Sequence, residues 1–150
     1  MIDKSPLVPD RIRRIQGSFG YIEHRFLREG FWQGLSHLEL LLYFFLVLVA
    51  DRNGISFYSY DRICTLLHTT LDDYVRARNS LIAKDLLAFD GHLFQVLSLP
   101  NAPPSPVRRV LKTAEDMLAK DPATVHMAIC DALGADPDES IRRCFPRVAI

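Results

Sequence analysis

Apolar and polar positions fall along this chain in blocks, and each block suits one kind of element. From Leu38 to Val49 nearly every residue is apolar, with Glu39 the one charge. The run is too long for a buried strand and predicts a helix. Ser36 and Glu39 stand three apart at its start, the spacing of a capping box, in which each side chain accepts from the other's backbone amide. Asp51-Arg52-Asn53-Gly54 ends the helix in a tight turn, since Asn and Gly tolerate positive φ. Ile55-Ser56-Phe57 reads as a short strand. Ser59 is placed to cap a second helix through Leu67, with Ile63, Leu66 and Leu67 facing inward. After the connector His68-Thr69-Thr70, Thr70 and Asp73 repeat the capping spacing. A third helix then runs from Leu71 to about Lys84, with Leu71, Tyr74, Val75, Leu81 and Ile82 on its buried stripe and Arg78 at the edge. Leu86 to Phe89 and His92 to Leu97 are two apolar runs around Asp90-Gly91, which predicts a hairpin closed by a two-residue turn.

The flanks read as helical additions. Val107, Val110, Leu111, Ala114, Met117 and Leu118 make an i, i+3, i+4, i+7 stripe on a helix ending near Lys120. Asp121-Pro122 opens another, carrying Val125, Ala128, Ile129, Ala132 and Leu133 on one face and stopping at Gly134. A short third piece runs from Asp138 to Phe145. The divisions expected are an N-terminal arm over residues 1–34, a compact body over 35–99, a proline-rich linker over 100–106, and a helical extension over 107–150. The fold expected is mainly α with a small β-hairpin.

Composition narrows the classes. A chain of 150 residues with 49% hydrophobic positions is long enough for one sizeable core. The longest apolar run, Leu40 to Ala50, is short of the roughly 20 residues that span a bilayer. The first residues lack the apolar core of a signal peptide, so a cytoplasmic protein with no membrane partner is expected. Cys64, Cys130 and Cys144 lie far apart and read as free thiols. The five histidines are scattered, and no metal-binding motif, phosphate loop, nucleophile elbow or cofactor-binding pattern occurs. An enzyme is not expected, nor a cofactor or a metal site.

Charge is unevenly spread although it sums to zero. Residues 1–34 carry six basic and four acidic side chains, and residues 35–100 carry five and seven. Basic residues cluster at Arg11, Arg13 and Arg14, at Arg108 and Arg109, and at Arg142, Arg143 and Arg147.

Helix, strand, helix, turn, helix, hairpin is the order of a winged helix-turn-helix. Leu35-Ser36, Glu39 and Tyr43, then Gly54-Ile55-Ser56-Phe57 with Ser59, then Leu81-Ile82-Ala83-Lys84-Asp85-Leu86-Leu87 carry a closer resemblance. They resemble the winged-helix domains of plasmid replication initiators and of DnaD-like primosomal proteins, with Asp85 where those families usually have glycine. Phe19 to Trp32 resembles the lead-in segment of replication initiators. The resemblance implies that the third helix enters a major groove and that the hairpin tip touches the DNA backbone or minor groove. Carried over, Arg76 would contact guanine and Asn79 adenine. Ser80 would share that face, and Thr69 and Thr70 would donate to phosphate at the helix entry. Arg11, Arg13 and Arg14 would form a phosphate-tracking arm. Arg76 also stands four residues after Asp72, the spacing of an intrahelical ion pair. Asp72, Asp73 and an acidic hairpin tip at Asp90 oppose phosphate contact.

The first helix adds a packing argument. Leu38, Leu41, Leu42, Phe45, Leu48 and Val49 form the stripe expected to face the body's core. Leu40, Tyr43, Phe44 and Val47 form an opposite stripe that is equally apolar, and a helix apolar all round must be covered all round. The covers available are Phe26, Leu27, Phe31 and Trp32, the C-terminal helices, or a second copy of the chain in a symmetric dimer. Two readings follow. One is a DNA-binding protein of the replication-initiator or transcription-regulator kind. The other is a winged helix used for protein–protein interaction or dimerisation, with replication or mobile-element proteins as partners.

Overall fold

In the computed structural model, which describes residues 2, 4–101 and 110–144, the capping box at Ser36 and Glu39 closes in both directions. The Glu39 amide donates to Ser36 Oγ at 3.3 Å, and the Ser36 amide donates to Glu39 Oε2 at 2.7 Å. That box starts α2 (His37–Val49), preceded by a 3₁₀ turn (Pro9–Arg11) and by the single turn α1 (Arg25–Arg28). The body continues as β1 (Ile55–Ser56), α3 (Tyr60–Leu67), α4 (Leu71–Ala83), β2 (Leu87–Phe89) and β3 (Phe94–Val96). The C-terminal unit is α5 (Ala114–Lys120), α6 (Pro122–Leu133) and α7 (Pro137–Cys144). The strands form one antiparallel sheet in the order β1-β3-β2, with Ser56 and Phe89 both opposite Phe94. The protein is a mainly helical winged helix-turn-helix with a small three-stranded sheet. No helix among the described residues is long and apolar enough to cross a membrane.

Of the sequence expectations, the linker residues 102–106, Val107, Arg108, Arg109, Phe145 and Arg147 lie outside the described residues. So do the side chains of Arg142, Arg143 and Cys144. Cys64 and Cys130 are buried free thiols. Burial, with Asp138 and Asp61 nearby, pushes the Cys64 thiol up to about 12, so it stays protonated and inert at neutral pH.

The inward face of α2 differs from the expected one. Leu41 is 46% exposed and Leu48 72%, whereas Leu40, Leu42, Tyr43, Leu46 and Val47 are buried. The reason is Glu39. Its carboxylate closes the capping box and also receives Lys84 from the end of α4, so the Glu39 side of α2 turns toward α4. Positions i+3, i+4 and i+7 from Glu39, namely Leu42, Tyr43 and Leu46, follow it into the core.

The N-terminal segment supplies the cover for the second stripe. Phe26 stacks on Tyr43 with ring centroids 5.0 Å apart, Phe31 stacks on Phe26, and Trp32 packs on Phe44 at 5.5 Å. Upstream, Gly20 crosses the end of α2 so closely that a Cβ there would stand 2.7 Å from the Val47 carbonyl oxygen. The C-terminal helices pack on α3 and α4 instead.

Two further expectations are corrected. The stripe from Val107 does not continue as one helix, because α5 begins at Ala114, capped by Thr113, whose side chain accepts from the Asp116 amide. Leu111 lies outside the helix and donates its amide to the Phe89 carbonyl at the end of β2. The hairpin is closed by four residues, Asp90 to Leu93, since Phe89 pairs with Phe94. Asp90 Oδ1 accepts from the amides of His92 at 3.0 Å and Leu93 at 2.7 Å, and this side-chain turn replaces the tighter Asp-Gly turn.

Asp85 explains the departure from glycine at the end of α4. It sits in the left-handed region at φ 60°, with the Leu86 amide bonded to the Leu81 carbonyl and the Asp85 amide to that of Ile82. This is a Schellman ending, whose left-handed residue is usually glycine. Asp tolerates the region better than most residues. Asp85→Gly is expected to leave stability unchanged or raise it by up to about 1 kcal/mol. Asp85→Val is expected to lower it by about 1–2 kcal/mol, because a branched Cβ opposes positive φ. Urea midpoints check both, and a Val variant as stable as the wild type would contradict the left-handed assignment.

Candidate nucleic-acid interface

The helix-turn-helix is made by local chemistry at its turn. His68 ends α3 in the left-handed conformation at φ 51°, and the Thr69 amide returns to the Cys64 carbonyl at 3.1 Å. Thr70 then caps α4 by accepting from the Asp73 amide at 3.2 Å. Thr70 is exposed and keeps its hydroxyl proton for donation, while Thr69 is half-buried.

α4 turns Asp72, Asp73, Arg76 and Ala83 to the outside. The Arg76 side chain is 74% exposed and ion-paired with Asp72 one turn back, as its spacing predicts. Asn79 is half-buried, and its amide oxygen accepts from Arg78 Nε at 3.2 Å and Nη2 at 3.0 Å. That leaves its NH₂ group for further bonding. Ser80 is half-buried and stands near the Glu39 carboxylate, whose pKa its hydroxyl helps to lower. Of the three base-reading candidates, Arg76 is therefore the one held fully outward. Arg11, Arg13 and Arg14 are all exposed on the arm, where Arg13 and Arg14 line an open groove with Phe19. The described hydrogen bonds and ion pairs join none of them to α4.

The charge that organises the site is one that periodicity left at the edge. The Arg78 side chain is 0% exposed and pairs with Asp121, 1% exposed, at 2.6 Å. Its Nη2 also reaches Thr124 Oγ1 at 3.3 Å and Met117 Sδ at 3.6 Å. The guanidinium carbon lies 5.5 Å from the Tyr74 ring centroid and 5.1 Å from that of Phe89, within cation–π range. Nη1 is buried without a partner. Asp121 has a second task, capping α6 by accepting from the Ala123 and Thr124 amides. An arginine on the inward stripe of α4 was the available signal. Its partner lies 43 residues further along the chain, beyond the reach of any spacing rule.

The hairpin tip is not the free acidic point that its sequence suggests. Gly91 is buried at φ 100°, and a Cβ there would stand 2.8 Å from the Lys120 carbonyl oxygen and 3.8 Å from Leu111. The Asp90 carboxylate is turned onto its own loop, as described above. No group of three or more metal-ligating side chains gathers among the described residues.

On the other flank of α4, Lys84 Nζ lies 3.0 Å from Glu39 Oε2 and 2.7 Å from the Gly34 carbonyl. Burial of Glu39 would raise its pKa, but the Ser80 hydroxyl, the Ser36 amide and Lys84 outweigh it and hold the carboxyl below its ordinary value.

With this geometry in place, a family model described as a helix-turn-helix domain matches residues 33–87, the span from four residues before α2 through β2's first residue. The matched segment has the helix-turn-helix fold described above and is similar to that family. No curated protein and no solved structure matches the chain.

The Glu39 arrangement carries a pH dependence. Its carboxyl is lower in the folded state than the ordinary 4.5, so its stabilising contribution is complete above that value and is lost as pH falls through the folded one. Denaturant unfolding is expected to show the wild type losing stability below about pH 4.5 and Glu39→Gln losing less over the same window. Parallel curves for the two proteins would contradict the assignment.

Proposed function

We propose that this chain binds double-stranded DNA and acts by binding rather than catalysis. The observation that carries the reading is the helix-turn-helix itself, with the outward strip of α4 left open to solvent and Arg76 standing on it. A guanidinium in that position is suited to the paired acceptors of guanine in a major groove. Thr70, at the first turn of α4, is placed to donate to a backbone phosphate. Arg11, Arg13 and Arg14 supply the cations that α4 lacks, and phosphate neutralisation by such an arm provides affinity without sequence preference. A role in replication initiation or transcription regulation accords with the resemblance of residues 35–99 to replication-initiator winged helices.

A second reading has its own support. Asp72 and Asp73 stand at the entry of α4, and the hairpin tip is buried against Lys120 and Leu111. Both features favour a protein partner over a phosphate backbone. Duplex titration separates the two readings. DNA binding is expected at low salt, with log affinity falling against log salt by about 0.9 for each phosphate neutralised. Replacing Arg11, Arg13 and Arg14 by Ala is expected to flatten that slope by roughly one unit per arginine, evenly across sequences. Arg76→Ala is expected to cost about 1–3 kcal/mol on the preferred sequence and to relax the preference. Absence of duplex binding at low salt would overturn the DNA reading and leave the protein-interaction reading.

A further inference from the structure

The stripe of α2 that its sequence assigns to the core is the one the fold leaves outside. Leu41 and Leu48 are 46% and 72% exposed, with Phe44 and Phe45 half-buried between them, at the i, i+3, i+4 and i+7 positions of one helix face. Aromatic rings widen this strip on both edges. Trp32, itself 41% exposed, packs on Phe44, and Tyr58 packs edge-on against Phe45 with centroids 5.3 Å apart. No charged residue occurs from Leu40 to Ala50, so the strip is uninterrupted. The N-terminal segment covers the Tyr43 side and leaves Leu41 and Leu48 in water, while the C-terminal helices pack on α3 and α4. These six side chains together expose on the order of 500 Å² of apolar surface. A standard interface buries about 800 Å² on each partner, and in homodimers about 65% of it is non-polar. The strip therefore has the apolar area that a second copy would bury.

We propose that this strip is the contact between two copies of the chain, with their α2 helices antiparallel about a two-fold axis that passes between Phe44 and Phe45. The strip suits such an axis. Leu41 and Leu48 lie equally far from the point midway between Phe44 and Phe45, so each Leu41 is set against the partner's Leu48. Phe44 then meets its own copy along one edge and Phe45 meets its own along the other, with Trp32 and Tyr58 closing the two sides. An antiparallel pair also places opposite ends of the two helix dipoles together, where a parallel pair would join like ends. A phosphate backbone or a charged peptide finds no charge on the strip to pair with, whereas a second uncharged strip leaves no charge buried and unpaired. The strip lies on the side of α2 opposite Glu39, the residue that faces α4. Pairing there takes place on the far side of α2 from α4, so the inference holds whatever α4 binds.

The test uses the full chain and reads its mass by sedimentation over the micromolar range. The wild type is expected to be dimeric at tens of micromolar and to dissociate on dilution. Leu41→Glu changes an outward residue in the first half of α2. It is expected to weaken association roughly a hundredfold or more while leaving the urea midpoint of the dilute protein unchanged. A wild type still monomeric at hundreds of micromolar would overturn the proposal. So would a dimer that Leu41→Glu leaves intact, since that dimer would use another face. The register is tested by cysteine pairing in a Cys144→Ser background, in which Cys64 and Cys130 are buried. A mixture of Leu41→Cys and Leu48→Cys chains with tags of different length is expected to cross-link between the two variants on mild oxidation. Cross-links confined to like chains, or none, would overturn the antiparallel arrangement. Should Leu41→Glu fail to fold, the dilution series and the cysteine pairs carry the test.

Discussion

Arg78 carries its charge in the interior, and much of the molecule is arranged to make that tolerable. A guanidinium taken out of water without partners would cost several kcal/mol. Its partners come from three stretches of chain: Tyr74 and Asn79 on its own helix, Phe89 on the hairpin, and Met117, Asp121 and Thr124 on the C-terminal unit. Satisfying this one group therefore sets the positions of α4, β2 and α6 together. Asp121 extends the constraint, because the carboxylate that neutralises Arg78 also starts α6 and so aims it. Tyr60 on α3 and His126 on α6 add a second tie, 3.1 Å between the hydroxyl and Nδ1.

The opposite flank of α4 is held in a related way. Lys84, Ser80 and the Glu39 carboxylate bind its C-terminal end to the start of α2. Between these two polar anchors α4 keeps a narrow open strip of mixed sign, with Asp72, Asp73 and Arg76 on it. Such a strip has too little positive charge to hold a phosphate backbone by itself. The exposed basic cluster at Arg11, Arg13 and Arg14 lies on a separate segment. On the DNA-binding reading proposed above, the architecture separates the element that would read sequence from the segment that would supply nonspecific affinity. It also sets the C-terminal helices against the inward stripe of α4, where Asp121 meets Arg78.

What could be read in advance was local. Ser36 with Glu39, Thr70 with Asp73, and Pro122 after Asp121 mark helix starts through bonds between residues two or three apart. Leu81 to Leu87 marks the end of α4, where Asp85 does meet the backbone demand usually met by glycine. The facing of α2 was not legible in the same way. A helix apolar on every side has no periodicity to select its inner face, and Glu39, the residue that does select it, acts through Lys84 some 45 positions later. The hairpin tip misled because Asp-Gly is a strong turn signal, yet Asp90 can also fold its carboxylate onto the next amides and support a longer loop.

The sequence by itself determined the order of elements in the body, the caps of α2, α4 and α6 and the ending of α4, and hence the helix-turn-helix, because those depend on bonds within a few residues. It also placed every candidate contact, Thr69, Thr70, Arg76, Asn79, Ser80 and the arm arginines, on its element. The tertiary structure decided which of them remain available. Asn79 lends its oxygen to Arg78, Ser80 turns to Glu39, and Arg76 stays outside. It decided as well that the hairpin tip and the first turn of α4 are met by Lys120 and Asp138. Those outcomes depend on pairing charges and amides across tens of residues. Desolvation makes such pairing obligatory once the chain is packed, and no pattern along the chain encodes it.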